Sequence, residues 1–367
     1  MAFTAQDVKA LREKTGVGMM ECKKALTEAD GDMDKAFDYL RERGLAAANK
    51  KASRIAAEGA IIAYTDEAAK TTVLLEINSE TDFVAKNDKF QAFGLSVAKT
   101  VAAVKPASVE ALLAAKLDGS DRTVEENLHD MVLAIGENLK VRRFEIIEGD
   151  VVTYIHGGGT VGVAVTFDAG EAAGKPEFAA MGKDIAMQIA AMRPEYLAKS
   201  DITDDELAKM KAITVESSLN KPDTLPKPIL MKLCAQCCDE KLWSAEDIAA
   251  YDEQKNNKFL FNFLSKEAYA KLAEVAVANK EEIVENKIFC GAVDGRLKKQ
   301  LSEICLLEQT FVRSDLFEGA VGGYVAKVSK DLGADIAVKA FVRYEKGEGL
   351  EKREDDFADE VAKMAGK

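Results

Sequence analysis

Thr81 to Asn87 reads TDFVAKN and sets an apolar wedge, Phe83, beside a charge, Asp82. The segment falls where a β-strand should end and a helix begin. Such connections are normally polar and on the surface. A phenylalanine there either tucks into the local core or is meant for another molecule. Other chemistry is scarce. His129 and His156 are the two histidines, which leaves little imidazole for general-base or metal work. Cys234, Cys237 and Cys238 form a CxxCC run that can offer two zinc ligands, with Cys290 or Cys305 to complete a set. No second CxxC follows and no histidine is near. Cys234 and Cys238 stand at i and i+4 on one helix face, so core cysteines are the simpler reading, with redox sensing a third. The chain has no Walker A motif, no GxSxG, no HExxH and no paired Cys/His arrangement. The expectation is a protein that is not an enzyme, with no catalytic residues, no metal and no cofactor.

Strands and helices around the wedge follow from periodicity and capping signals. Residues 4–44 read as three short helices. Thr4 with Asp7 resembles a capping box, and Val8 and Leu11 give an apolar face. Gly16-Val17-Gly18 breaks the chain before Met19, Met20, Cys22, Ala25 and Leu26. Asp32 suits an N-cap, Met33, Ala36, Phe37 and Leu40 recur at helical spacing, and Gly44 suits a C′ position. This module is too small for an independent core and should lean on something else. The alanine-rich stretch 45–58 reads as a partly helical linker.

Gly59–Tyr64 and Thr71–Asn78 read as strands. Asp88 to Val104 is helical and ends before Pro106. Thr123 and Glu126 form a capping box opening a helix to Leu139. Val141–Ile147, Val151–Ile155 and Val161–Phe167 read as further strands, with HGGG at 156–159 the clearest turn. Residues 201–300 read as helical, with breaks at Lys221-Pro222-Asp223 and Leu225-Pro226-Lys227-Pro228 and a cap at Ser244 with Asp247. Lys258–Leu264 is the one strand candidate there. Strand patterns return at Ile304–Phe311 and Ala334–Tyr344, and Asp355–Lys363 reads as a charged C-terminal helix.

An internal repeat runs through this order. Shifted by 88 positions, Phe90–Pro106 lies on Phe178–Pro194 with seven of 17 residues identical. Two strands followed by an alanine-faced helix occur in each copy. The reading is two related α+β subdomains, each an antiparallel sheet with helices on one face. The sibling of the wedge loop, Ala169–Lys175, closes the same connection without an aromatic. What one copy has and the other lacks is more readily functional than structural.

Composition bounds the partners. The 367 residues carry 50 Lys+Arg against 63 Asp+Glu, a net charge of −13. Such an acidic chain is a poor general binder of phosphate backbones. The sequence has no 18-residue apolar run to cross a membrane. The first residues lack the look of a signal or transit peptide, and six sparse cysteines fit a reducing compartment. The cytoplasm is expected.

Three blocks carry a family resemblance: TGVGMMECKKALTEADGD at 15–32, INSETDFVAKN at 77–87 and VRYEKGEGLEKREDDFADEVAKM at 342–364. In content, order and spacing they resemble elongation factor Ts, over roughly residues 1–200 and 284–367. The resemblance implies an α+β fold with an N-terminal three-helix module of ubiquitin-associated type (1–54) and a core subdomain at 55–148. A second core subdomain would be split over 149–200 and 301–345. A helical, coiled-coil arm (201–300) would be inserted between them, and a helical segment (346–367) would close the chain. Between 227 and 280 the family pattern is lost. The implied function is nucleotide exchange on the GTPase elongation factor Tu. By resemblance, Thr81, Asp82, Phe83 and Val84 disturb the partner's Mg²⁺ site. Thr15, Met19, Met20, Lys23 and Lys24 dock on it, with the two methionines open to a core reading. His156, in HGGGTVGV, is a turn or interface residue. A homo-oligomer through the arm stays open. The competing reading is an interaction or chaperone-like scaffold built on the three-helix module, which would lose little without Phe83.

Overall fold

The computed structural model describes residues 3–351. Helix α1 (Ala5–Thr15) opens with the expected box. The Thr4 amide donates to Asp7 Oδ2 at 2.7 Å, and the Asp7 amide returns to Thr4 Oγ1 at 3.3 Å. It stops at Gly16, whose φ of +70° is easy for glycine alone. Helix α2 is Met19–Glu28 and α3 is Met33–Lys51. Asp32 caps α3 by accepting the Asp34 and Lys35 amides. Leu11, Cys22, Ala25, Leu26, Ala36 and Leu40 are the buried centre of the three helices.

The first α+β layer follows. Strands β1 (Glu58–Asp66) and β2 (Thr71–Ser79) pair antiparallel. Next come α4 (Asp82–Ala85), α5 (Asp88–Val104), α6 (Val109–Ala114), α7 (Val124–Ile135) and β3 (Lys140–Glu148). The sheet order is β1-β2-β3. Phe90, Val97 and Val101 of α5 pack with Leu75 and Ile77 of β2 and Val132 of α7. The Thr123–Glu126 box forms, but α7 ends at Gly136 (φ +89°) and not at Leu139. Gly44 is likewise no C′ residue. It lies inside α3, where a Cβ would come within 3.2 Å of the His129 carbonyl oxygen on α7. A small residue is needed for that helix crossing, so α3 runs on through the expected linker. The module leans on α7, with Leu133 and Ala134 against its core and Arg41 paired to Glu126.

The second layer begins with β4 (Asp150–His156), β5 (Val161–Asp168) and α8 (Pro176–Met192). Residues 194–323 then form a separate unit. It holds α9 (Asp204–Leu219), α10 (Lys227–Asp239), α11 (Ala245–Gln254), α12 (Lys266–Ala278), α13 (Lys280–Glu285) and α14 (Lys287–Ile304). Its core gathers Leu233, Cys234, Cys237, Trp243, Leu272 and Phe289. Burial pushes the Cys234 thiol up to about 12 and the Cys237 thiol up to about 11, so both are packed protonated. Two strand expectations fail here. Lys258–Leu264 holds a 3₁₀ turn, Leu260–Asn262, because Leu260 is buried and the Phe263 amide closes back on its carbonyl. Ile304–Phe311 holds another, Leu306–Glu308, because the Cys305 carbonyl takes the Glu308 and Gln309 amides.

Helix α15 (Val321–Leu332), in a stretch the sequence analysis leaves unassigned, and strand β6 (Ala337–Glu345) complete the second sheet, ordered β4-β5-β6. The expected helix at 355–363 lies outside the described residues. Among the described residues no helix is long and apolar enough to cross a membrane.

The two sheets repeat in detail. α5 and α8 each have 17 residues and end in a left-handed residue, Lys105 and Arg193, both at φ +48°. α7 and α15 each have 12 and are followed by Gly136 and Gly333 at positive φ. The ladders bulge at Glu76/Ile77 and at Thr166/Phe167. On this register Glu137 matches Ala334, and Glu76 matches Thr166. Between the sheets, Ile61, Leu74 and Tyr344 pack together. Gly162 permits this, since a Cβ there would lie 2.3 Å from Ile61 Cγ2. Glu76 is fully buried at the same place. It accepts from Arg142 (2.9 Å), Arg143 (2.6 Å), Asn78 (3.0 Å) and the Gly347 amide (2.7 Å). Burial opposes its charge, but the Gly347 amide, Asn78 and the two guanidiniums outweigh it and hold the carboxyl below 4.5.

Candidate partner-binding site

The wedge loop is a rigid turn with one apolar side chain turned outward. Val84 and Ala85 are buried under it, while Phe83 is 80% exposed. The reading in which Phe83 tucks into the core is therefore wrong; its neighbours Val84 and Ala85 are the residues that tuck in. At the far end, the Gln91 side-chain amide donates to the Ala85 carbonyl at 2.6 Å, and Asn87 caps α5 by accepting the Lys89 amide at 2.9 Å. Asp82 pairs with Lys86 at 2.9 Å. That hydrogen bond, ahead of the opposing desolvation and the nearby charge of Lys346, lowers its carboxyl below the usual range. The pair is solvent-exposed, so it is easily exchanged for another partner.

The near end is fastened by a residue that sequence reasoning missed. Glu137, just past α7, accepts three bonds from the loop: Thr81 Oγ1 (2.7 Å), the Thr81 amide (3.0 Å) and the Glu80 amide (3.1 Å). In return, Glu80 accepts the Asn138 amide at 2.6 Å. Charged acceptors make such bonds short and strong. A signal was present. An acid just beyond a helix C-terminus opposes the helix dipole, and α7 has no basic residue in its last turn. A carboxylate in that position needs a compensating set of donors.

The docking candidates cluster at one turn. Met19 (51% exposed), Met20 (74%), Lys23 and Lys24 all face solvent, so the core reading of the methionines fails. Thr15 is half-buried, and its hydroxyl donates inward to the Leu11 carbonyl at 2.7 Å. Lys89 Nζ, at the start of α5, donates to the Gly16 carbonyl at 3.3 Å. That bond joins the α1–α2 turn to the element that follows the wedge loop. His156 is exposed at the end of β4, with Nδ1 2.9 Å from the Tyr154 hydroxyl. Its turn rests on β1, where the Ile61 amide donates to the Gly159 carbonyl at 2.8 Å. The exposed set is thus apolar tips with flanking lysines, the kind of patch that marks interaction surfaces.

Comparison with known proteins identifies the family. The family model described as elongation factor TS matches residues 80–348. A protein named elongation factor Ts from Clostridium perfringens (strain SM101 / Type A) is 41% identical over 368 aligned residues, covering 100% of both chains. One of the same name from Syntrophotalea carbinolica is 38% identical over 369, covering 99% of each. A third, from Trichlorobacter lovleyi, is 38% identical over 374, covering 100% of this chain and 99% of its own.

Proposed function

This chain belongs to the elongation factor Ts family, and on that premise we propose that it is a guanine-nucleotide exchange factor for the translational GTPase elongation factor Tu. A P-loop GTPase holds GDP through backbone amides on the phosphates and a bridging Mg²⁺. Release needs no covalent step. A protein that binds the nucleotide-free form more tightly must, by linkage, weaken nucleotide binding by the same factor. Met19, Met20, Lys23 and Lys24 dock the partner, Thr15 shapes the turn beside them, and His156 adds a second contact from its own turn. Thr81 and Val84 anchor the wedge loop. Phe83 enters a cleft that opens as Mg²⁺ and phosphate lose their hold. Asp82 exchanges Lys86 for groups near the metal. The complex then persists until GTP rebinds.

The observation that carries this reading is the 80% exposure of Phe83 on a turn whose neighbours are buried and bonded. Burying one phenylalanine contributes about 1.5–3 kcal/mol, enough for roughly a tenfold to 150-fold shift in an equilibrium. The test is release of fluorescent GDP from elongation factor Tu with the intact chain and with Phe83→Ala. Fast release by the intact chain, slowed about tenfold in the variant, is expected. Equal rates from both would move the wedge elsewhere. No acceleration by the intact chain would retire exchange in favour of the scaffold reading.

A further inference from the structure

We propose that Glu137 is a positioning residue for exchange: it holds the wedge loop in the geometry that presents Phe83. This rests on the exchange reading above. Three donors from Glu80 and Thr81 converge on the Glu137 carboxylate, and the Glu80 carboxylate closes the clasp on the Asn138 amide. A further bond, from the Asn138 side-chain amide to the Arg54 carbonyl at 2.8 Å, ties the clasp to the segment before β1. The bonds of the clasp join the two residues before Asp82 to the two residues after Gly136. The turn carrying Phe83 is therefore fixed to the end of α7, not merely to its own strand.

The repeat supplies an independent observation. Counted back from α5 and α8, Thr81 and Phe83 fall on Ala169 and Glu171 (counted on from the strands, on Glu171 and Ala173), and Glu137 falls on Ala334. The copy without an outward aromatic also lacks the hydroxyl and the carboxylate. Its loop is tied differently, by Lys175 Nζ donating to the Leu332 carbonyl at the end of α15, 3.2 Å away. Closing a strand-to-helix connection on this scaffold therefore does not require the carboxylate clasp. The clasp accompanies the wedge.

With docking made by the α2 residues, a pre-set loop lowers the ordering cost of the later step in which Phe83 enters its cleft. It should act on the rate at saturation and leave docking alone. The experiment uses the full chain with Glu137→Ala and the gentler Glu137→Gln, each with and without Phe83→Ala, reading fluorescent-GDP release from elongation factor Tu against factor concentration. Glu137→Ala should lower the maximal rate about tenfold while the half-saturating concentration stays within about twofold. On the Phe83→Ala background the same change should cost less than about twofold, because the two residues act as one unit. Glu137→Gln, which keeps one acceptor oxygen, should fall between.

In the free variant, the Glu80 and Thr81 amides should exchange hydrogen faster while those of β1 and β2 keep their protection. Additive losses, or a raised half-saturating concentration at unchanged maximal rate, would overturn the proposal. So would unchanged exchange at Glu80 and Thr81. If the intact chain releases no GDP, the exchange reading falls and this role of Glu137 falls with it. Amide exchange then still decides whether Glu137 holds the loop.

Discussion

The two α+β layers share a plan and differ where one of them meets the outside. Both have a bulged three-stranded antiparallel sheet and a 17-residue helix with a left-handed end. Both seat a helix glycine on the first strand of the hairpin, Gly94 over Ile62 and Gly182 over Val152. Yet the first copy carries Phe83 and Glu137 where the second carries Glu171 and Ala334, and a buried Glu76 where the second has Thr166. The shared features are those that close packing imposes. The unshared ones are polar or exposed, and packing demands none of them. The exposed one, Phe83, is the residue the proposed function uses, whereas Glu76 is an internal polar tie.

The largest effect should come from the unshared buried charge. Glu76→Ala leaves Arg142 without its carboxylate, Arg143 with Glu348 alone, and the Gly347 amide without its acceptor. It should cost about 3 kcal/mol, whereas Thr166→Ala should cost under about 1; urea unfolding distinguishes them. Similar costs would erase this asymmetry. The pH dependence has a definite sign. The folded Glu76 carboxyl lies below its ordinary 4.5. Its contribution is therefore complete above pH 4.5 and lost as pH falls through the folded value. The urea midpoints of the wild type and of Glu76→Gln should differ at neutral pH and converge in acid.

The shared glycines sharpen the comparison next. A Cβ at Gly182 would lie 2.5 Å from Val152 Cγ2 and 2.9 Å from its Cβ, on a stiff branched side chain. At Gly94 the 2.0 Å clash falls on Ile62 Cδ1, a side-chain tip that can swing away. Gly182→Ala should destabilise by about 2 kcal/mol and Gly94→Ala by under about 1, again by urea unfolding. The reverse order would mean that the strand backbone yields before the side chain does. Smaller in stability is Phe83→Ala, which should leave the unfolding free energy from urea within about 0.5 kcal/mol of the wild type even as GDP release slows. A larger loss would return Phe83 to the core. Smallest of all, Glu171→Phe puts an aromatic on the second loop. Release should stay within about twofold of the wild type, since that loop lacks the carboxylate clasp.

The elements with strong local signals were legible in the sequence. Caps at Thr4, Asp32, Thr123 and Ser244 formed as expected because each satisfies amides within its own first turn. The strands of both hairpins fell within a residue or two. Legibility ended where tertiary contact decided. Gly44 looks like a stop, and only the nearness of α7 makes it a crossing point. Phe259 and Phe263 look like strand residues until Leu260 takes the buried place. Of the site, the wedge was visible as a residue out of character with its loop. Glu137 showed only as an acid past a helix end; what it grips was not legible, because its partners lie 56 and 57 positions away in the chain.

Helix α7 touches both halves of the proposed contact. Near its start Glu126 receives Arg41 of α3, and two residues beyond its end Glu137 grips the wedge loop. Twelve residues at 1.5 Å make it about 18 Å long, and an α-helix does not stretch. In the proposed complex it would serve as a gauge between the methionine-bearing module and the phenylalanine. If the proposed docking holds, the effective concentration of Phe83 at its cleft, once the methionines engage, is set by this fixed span and not by a search of loose chain. A partner whose two recesses were spaced differently would meet one end and miss the other.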